Sequence, residues 1–148
     1  MHCLDPGCLA ACPAPGAIFV RDNGIVDFDE QHCIGCGYCM TGCPFDVPRR
    51  HPDTEKVFKC TLCSDRTAVG LEPACIKVCP TSCLTFGTRD DLLAAAEARA
   101  DELRADGQDK AGVYNPRGVG GTNVLYVLAR ADQPESTGYL ATRGCRGP

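Results

Sequence analysis

Cys33-Ile34-Gly35-Cys36-Gly37-Tyr38-Cys39-Met40-Thr41-Gly42-Cys43-Pro44 sets four cysteines at spacings of three, three and four residues, with a proline after the last. Thiolates at i, i+3 and i+6 reach three iron corners of one [4Fe-4S] cube, while a fourth cysteine followed by proline points away and serves a neighbouring cluster. A lone C-x-x-C is compatible with half a zinc site or a redox dithiol. A structural zinc site has no use for the third cysteine of this run.

The same punctuation recurs on both sides. Upstream stand Cys3, Cys8 and Cys12-Pro13; downstream stand Cys60, Cys63, Cys75 and Cys79-Pro80. Each group ends in C-x3-C-P and is followed by a short apolar stretch, which makes an internal repeat. Residues 17–20 and 25–28 flank Asn23-Gly24, a dipeptide suited to the positive φ values of a type I′ turn, so a tight hairpin is expected. Residues 57–59 and 84–86 are expected to be the matching strands of a second unit. The resulting fold class is α+β, with ferredoxin-like [4Fe-4S] units of short hairpin strands and cluster loops, followed by one amphipathic helix and a C-terminal strand. The expected organisation is a first unit at 1–56, part of a second at 57–87, and helix, strand and tail at 88–148.

Composition agrees with a loop-rich, metal-stapled chain. Of its 148 residues 16 are Gly and 11 Pro, with no Trp, and metal binding offsets the small apolar burial such units achieve. Thirteen cysteines in a secreted chain would point to disulfides, but Cys-Pro punctuation has no role in a disulfide framework. The formal net charge of −4, without a basic patch interleaved with aromatics, argues against nucleic acid as a partner. Met1 is followed at once by His2-Cys3, so no signal-peptide pattern is read, and no apolar run approaches the roughly twenty residues of a membrane span.

Beyond residue 87 the pattern changes. Thr88 with Asp91 forms an imperfect capping box, Asp90 and Asp91 complement a helix N-terminus, and Gly107 stands where a C′ glycine belongs. Leu92, Ala96, Ala100 and Leu103 fall on one face, so the helix is read as a packing element with a solvated opposite face. Residues 123–128 are expected to form a strand. The preceding Gly118-Val119-Gly120-Gly121 opens no helix, which favours a turn or close backbone approach over a dinucleotide site.

These stretches together resemble the iron-sulfur (beta) subunit of formate dehydrogenase. The likeness is carried by Asp5-Pro6-Gly7-Cys8, Cys33 to Pro44, Lys59-Cys60-Thr61-Leu62-Cys63, Pro73-Ala74-Cys75 and Tyr114-Asn115-Pro116-Arg117-Gly118-Val119-Gly120-Gly121-Thr122, and it extends to about Pro134. That family has four cysteine motifs and four [4Fe-4S] clusters, the first motif pairing with the fourth and the second with the third. The resemblance implies that Cys12 joins Cys33, Cys36 and Cys39, the one complete ligand set in this chain. It implies that Cys43 joins Cys3 and Cys8, with the remaining ligand at a position ahead of Met1. It further implies that Cys60, Cys63 and Cys75 serve a third cluster and Cys79 a fourth, whose other ligands lie in a first motif absent from this sequence. The expectation is therefore a fragment of a longer subunit. The family's membrane-spanning helix is not found, and the ending Gly144-Cys145-Arg146-Gly147-Pro148 does not resemble the family.

By this resemblance the chain is a non-catalytic electron-transfer subunit. Electrons arrive from formate oxidation at a molybdenum or tungsten pterin site in a separate molybdopterin-containing catalytic subunit. They leave towards a cytochrome b membrane subunit and quinone, or another acceptor. The implied location is the periplasmic side of the inner membrane through partner subunits, with a cytoplasmic one as the alternative. The competing readings are the equivalent subunit of a hydrogenase, dimethyl sulfoxide or nitrite reductase, and a non-redox interaction module stapled by zinc or a cluster. Cys83 is read as a buried structural thiol and Cys145 as a free thiol in a loose tail. His2, His32 and His51 do not show the spacing by which His replaces Cys at iron-sulfur centres. The amides of Gly35, Gly37 and Gly42 are expected to donate to sulfur. Arg49, Arg50 and Lys59 either tune a cluster by their charge or are simply solvated or paired.

Overall fold

The computed structural model describes residues 1–115 and 117–137. In chain order these form α1 (Gly7–Ala10), β1 (Ile18–Val20), β2 (Val26–Phe28), α2 (Tyr38–Thr41), β3 (Arg49–Arg50), β4 (Val57–Phe58), α3 (Ser64–Thr67), α4 (Ala74–Lys77), α5 (Arg89–Ala105), β5 (Gly112–Tyr114) and β6 (Tyr126–Leu128). The fold is a small mixture of helix and strand whose strands make three separate antiparallel pairs: β1 with β2, β3 with β4, and β5 with β6. Among the described residues no helix is long and apolar enough to cross a membrane.

The chain divides into two compact units. One is built from Met1–Ser64 with Arg117–Asn123 returning to it; the other, among the described residues, from 65–115 and 124–137. Within the first unit β4 pairs with β3 through Arg49↔Phe58 and Arg50↔Val57.

In the first unit β1 and β2 form the expected hairpin, in register Ile18↔Phe28, Phe19↔Asp27 and Val20↔Val26. The turn is not type I′, which needs positive φ at both central residues. Only Gly24 is left-handed, at φ +81°; the Arg21 amide donates to the Ile25 carbonyl at 2.9 Å and the Gly24 amide to the Arg21 carbonyl at 2.8 Å. This is a three-residue loop with glycine at its left-handed position, closed by a bulge. The core beneath it joins Ala14, Ala17, Ile18, Val26 and Val57 to Cys8, Cys33 and Cys39. Burying each large aliphatic side chain contributes about 1.5–3 kcal/mol, so Ile18, Val26 and Val57 make a thin core. Thiols complete its packing.

Helices α1 and α2 pack against one another where side chains are absent. A Cβ on Gly42 would lie 2.5 Å from the Ala11 Cβ, and one on Gly7 would lie 2.5 Å from the Gly42 carbonyl oxygen. The segment 118–123, the glycine cluster and its flank, is a close backbone approach, as its sequence suggests. The Leu4 amide donates to the Gly121 carbonyl at 3.0 Å, the Asp5 amide to Val119 at 2.9 Å, and the Asn123 amide to the His2 carbonyl at 2.8 Å. Cys3 bridges to Thr122 between them.

In the second unit α5 packs on both β5 and β6. The Thr88 side chain accepts the Asp91 amide at 3.3 Å, Gly107 is left-handed beyond the last turn, and Ala96 and Ala100 are buried, as the sequence predicts. Strand β6 is shorter than the expected 123–128. Its partner β5 has no strong strand signature, since Gly112 opens it. Residues 84–86 are not a strand: Leu84 and Phe86 are exposed and form no strand pair among the described residues. An apolar run of three becomes a strand only where another pairs with it.

Candidate metal centre

The hairpin, the loop before α2, and β4 frame a small pocket in the first unit, lined by Cys12, Cys33, Cys36 and Cys39 with Ile18, Phe28 and Val57 among its apolar walls. Each thiol is delivered differently. Cys12 follows α1, and its thiol donates to the Ala14 carbonyl at 3.6 Å. Cys33 and Cys36 lie on the loop that turns at Gly35, and Cys39 rides on α2. Cys33 and Cys39 are buried, whereas Cys36 is exposed. The Cys33 sulfur accepts two amides, Gly35 at 3.4 Å and Val57 at 3.5 Å.

The proximity of the four shows in the ionisation of Cys39. The Cys39 thiol is pushed up to about 11, first by burial and then by Cys12, Cys33, Cys36 and Cys8, whose thiolates disfavour another negative charge nearby. Four mutually repelling thiolates need a cation at their centre. Among the described residues no three His, Cys, Asp or Glu side chains converge on a single-ion site. Thiolates spaced around an apolar-walled cavity suit a polynuclear cube, whose iron corners are separate. The donor set fits.

A second group lies in the same unit. Burial pushes the Cys8 thiol up, and Cys43 and then Cys3 add to it; burial also raises Cys3, with Cys43 again among the causes. Cys3, Cys8 and Cys43 therefore share one neighbourhood, with the Cys43 sulfur accepting the Val47 amide at 3.5 Å. Cys3 is held there by the 118–123 segment.

Of the remaining cysteines, Cys60 and Cys63 belong to the first unit, and the Cys60 sulfur accepts the Leu62 amide at 3.3 Å. Cys75 and Cys79 belong to the second, Cys75 on α4. Cys83 is exposed and not buried, with its sulfur 3.5 Å from that of Cys79. It follows a turn with no strand to cover it. Hydrogen bonds from Thr81 and Cys83 lower Cys79 to about 6. Cys145 lies outside the described residues.

The glycine amides were expected to donate to sulfur as a set, but only Gly35 does so among the recorded bonds. Gly42 donates to the Tyr38 carbonyl at 2.8 Å, and Gly37 is the left-handed residue that starts α2. The Val57 amide, brought by β4, is a donor that local spacing could not reveal. His32 pairs with Asp29 at 2.9 Å, and the His51 ring accepts the Asp53 amide at 3.2 Å, so both have structural roles. His2 is buried, its ring nitrogens without hydrogen-bond partners, and burial, with Lys59 next in effect, lowers it to about 4. It is neutral at ordinary pH.

A family described as a 4Fe-4S dicluster domain matches residues 1–89, and the chain belongs to it. It binds [4Fe-4S] clusters. Within that class the chain is similar to iron-sulfur subunits of formate dehydrogenase. It is 60% identical over 135 residues to the nitrate-inducible one of Escherichia coli, covering 91% of this chain and 46% of that protein. It is 57% identical over 135 residues to that of Haemophilus influenzae, covering 91% and 43%. It is 46% identical over 91 residues to a thiosulfate reductase electron transfer subunit of Salmonella typhi, covering 61% and 47%. The chain thus spans less than half the length of these relatives.

Proposed function

We propose that this chain is the iron-sulfur, electron-transfer portion of a formate dehydrogenase, itself non-catalytic. Its ligands are Cys12, Cys33, Cys36 and Cys39 for one cluster and Cys3, Cys8 and Cys43 for the next, with Cys60, Cys63, Cys75 and Cys79 as further ligands. Each set is of ferredoxin-like kind. The observation that carries the reading is the convergence of four thiols on one cavity in a chain so similar to formate dehydrogenase iron-sulfur subunits. A bound cluster supplies one-electron, outer-sphere transfer. The chain's own contribution is to fix the thiolates, to exclude water with Ile18, Phe28 and Val57, and to donate the Gly35 and Val57 amides to sulfur. Amide donation stabilises the reduced form and so sets the potential within the roughly −700 to +450 mV open to such centres.

The partners that follow are a molybdopterin-containing catalytic subunit that oxidises formate and a cytochrome b subunit or other acceptor. The location would be the periplasmic side of the inner membrane through those partners, or the cytoplasm where the partner is cytoplasmic. A second reading, the equivalent subunit of another oxidoreductase, is favoured by the thiosulfate reductase relative and stands second on its lower identity and shorter span. Affinity-tagged chain expressed in its native host tests this. Copurification of a large pterin-containing subunit, with formate reducing the clusters in the complex, is expected; reduction by hydrogen or a sulfur compound but not by formate would overturn it in favour of the second reading.

A further inference from the structure

The cations beside the cysteine loops are held in different ways. Arg49 makes a two-pronged pair with Asp46, at 2.7 and 3.0 Å, and Arg50 pairs with Glu55 at 3.0 Å, all four side chains in solvent. Their charges are neutralised and screened. Lys59 donates to the Val26 carbonyl on β2 and, at 2.9 Å, to the Cys60 carbonyl, which ties that loop to the hairpin. Of these four cations and Lys56, only Lys56 reaches a cysteine of the four-thiol pocket: its ammonium donates to the Cys33 carbonyl.

Lys56 ends a loop that is closed by its own hydrogen bonds. The His51 amide donates to the Lys56 carbonyl at 2.8 Å, the Glu55 amide to the His51 carbonyl at 2.9 Å, and the Arg50 guanidinium to the Glu55 carbonyl at 3.2 Å. Three successive residues then meet the Cys33–Gly35 segment. The Glu55 carbonyl oxygen lies 2.9 Å from the place a Cβ on Gly35 would take, the Lys56 ammonium is on the Cys33 carbonyl, and the Val57 amide is on the Cys33 sulfur at 3.5 Å.

Strand β4 has only two residues, too few for its ladder alone to hold it in place. Burial of the Val57 side chain draws it inward, but apolar attraction is non-directional, whereas an amide must be aimed at the atom that accepts from it. Lys56 directly precedes Val57. Fixing the lysine to the Cys33 backbone therefore orients the next amide towards the Cys33 side chain, and amide donation to sulfur favours the reduced cluster.

We propose that Lys56 is a positioning residue: by holding the Cys33 carbonyl it keeps the Val57 amide on the Cys33 sulfur, and so raises the reduction potential of the cluster at Cys12, Cys33, Cys36 and Cys39. The inference rests on the ligand assignment proposed above. The role belongs to the lysine's hydrogen bond and not to its charge.

The test uses the full chain, its clusters assembled anaerobically from ferrous iron and sulfide. A redox titration followed by electron paramagnetic resonance gives midpoints, and the signal lost in Cys36→Ala, the exposed ligand, identifies the cluster concerned. Resonance Raman spectra in light and heavy water report hydrogen bonding to sulfur through the deuterium sensitivity of the iron-sulfur stretches. Lys56→Met keeps the apolar stem without a donor, and Lys56→Arg keeps a donor. At equal iron content, Met is expected to shift the identified signal to a more negative midpoint and to lose part of the deuterium sensitivity, and Arg to restore both. A Met variant with the parent's midpoint would overturn the proposal, as would a shift that Arg does not restore. A shifted midpoint with an unchanged Raman spectrum would overturn it as well, the charge then acting through space. Should Met take up no cluster, the iron-free chains decide: labelling of the buried Cys33 by iodoacetamide, relative to the exposed Cys75, is expected to quicken in Met and not in Arg, and equal rates would overturn the role. Absence of any reducible signal in the parent chain would instead remove the ligand assignment, and this proposal with it.

Discussion

Cys39 is a buried thiol ringed by others that must all be deprotonated to hold iron. In the iron-free chain its folded pKa of about 11 lies above the ordinary 9.0, so the folded state binds this proton more tightly than the unfolded state does. That preference is fully present below pH 9 and is lost as pH rises through 11. Thermal melts of iron-free chain are therefore expected to show falling stability from pH 9 to pH 11, and Cys39→Ser, which does not ionise there, should flatten the slope. Once iron is bound the thiolate is neutralised, and the loaded chain should not show it. A second prediction concerns Gly42. Alanine there would drive a methyl within 2.5 Å of the Ala11 Cβ and 3.0 Å of the Gly7 carbonyl, separating α1 from α2 and with them Cys8 and Cys12 from Cys39 and Cys43. Gly42→Ala is expected to lower iron uptake per chain, measured by colorimetric iron analysis, even though no ligand is altered.

The elements differ in how far their sequence announces them. Helix α5 is fully legible: its cap at Thr88, its small-residue face and its terminal Gly107 are local signals that agree with its packing. Thr88→Ala removes an N-cap and should cost about 1 kcal/mol. Ala100→Leu adds bulk at a fully buried face and should cost about 1–3 kcal/mol. Both are measurable by denaturant unfolding of the loaded chain. The strands are less legible, because two- and three-residue strands owe their existence to partners. Residues 84–86 carry Leu84 and Phe86 yet form no strand among the described residues, while β5 begins with a glycine and does. At the β1–β2 turn, Asn-Gly marked the position but not the geometry, since the register of the flanking strands left a third residue, Asp22, inside the loop.

For the molecule as a whole, chemistry was more readable than architecture. Cysteine spacing identifies the cluster type because iron geometry, unlike a hydrophobic core, imposes itself over a few residues, and Cys33, Cys36 and Cys39 gather within one loop and one helical turn. The pairing of that run with Cys12 came from family resemblance, and the structure brings those four thiols to one cavity. What spacing could not show is the long-range support: the Val57 amide on Cys33, the Lys59 ammonium beneath the hairpin, and the 118–123 backbone holding Cys3. Such partners are fixed by tertiary packing alone. The central claim is that Cys12, Cys33, Cys36 and Cys39 enclose one [4Fe-4S] cube, and it is tested by Mössbauer spectroscopy of the anaerobically assembled chain against a variant with these four cysteines changed to serine. The account predicts that the variant loses one cube's quota of iron and the corresponding diamagnetic, delocalised-valence spectrum; an unchanged spectrum and iron content in the variant would contradict it.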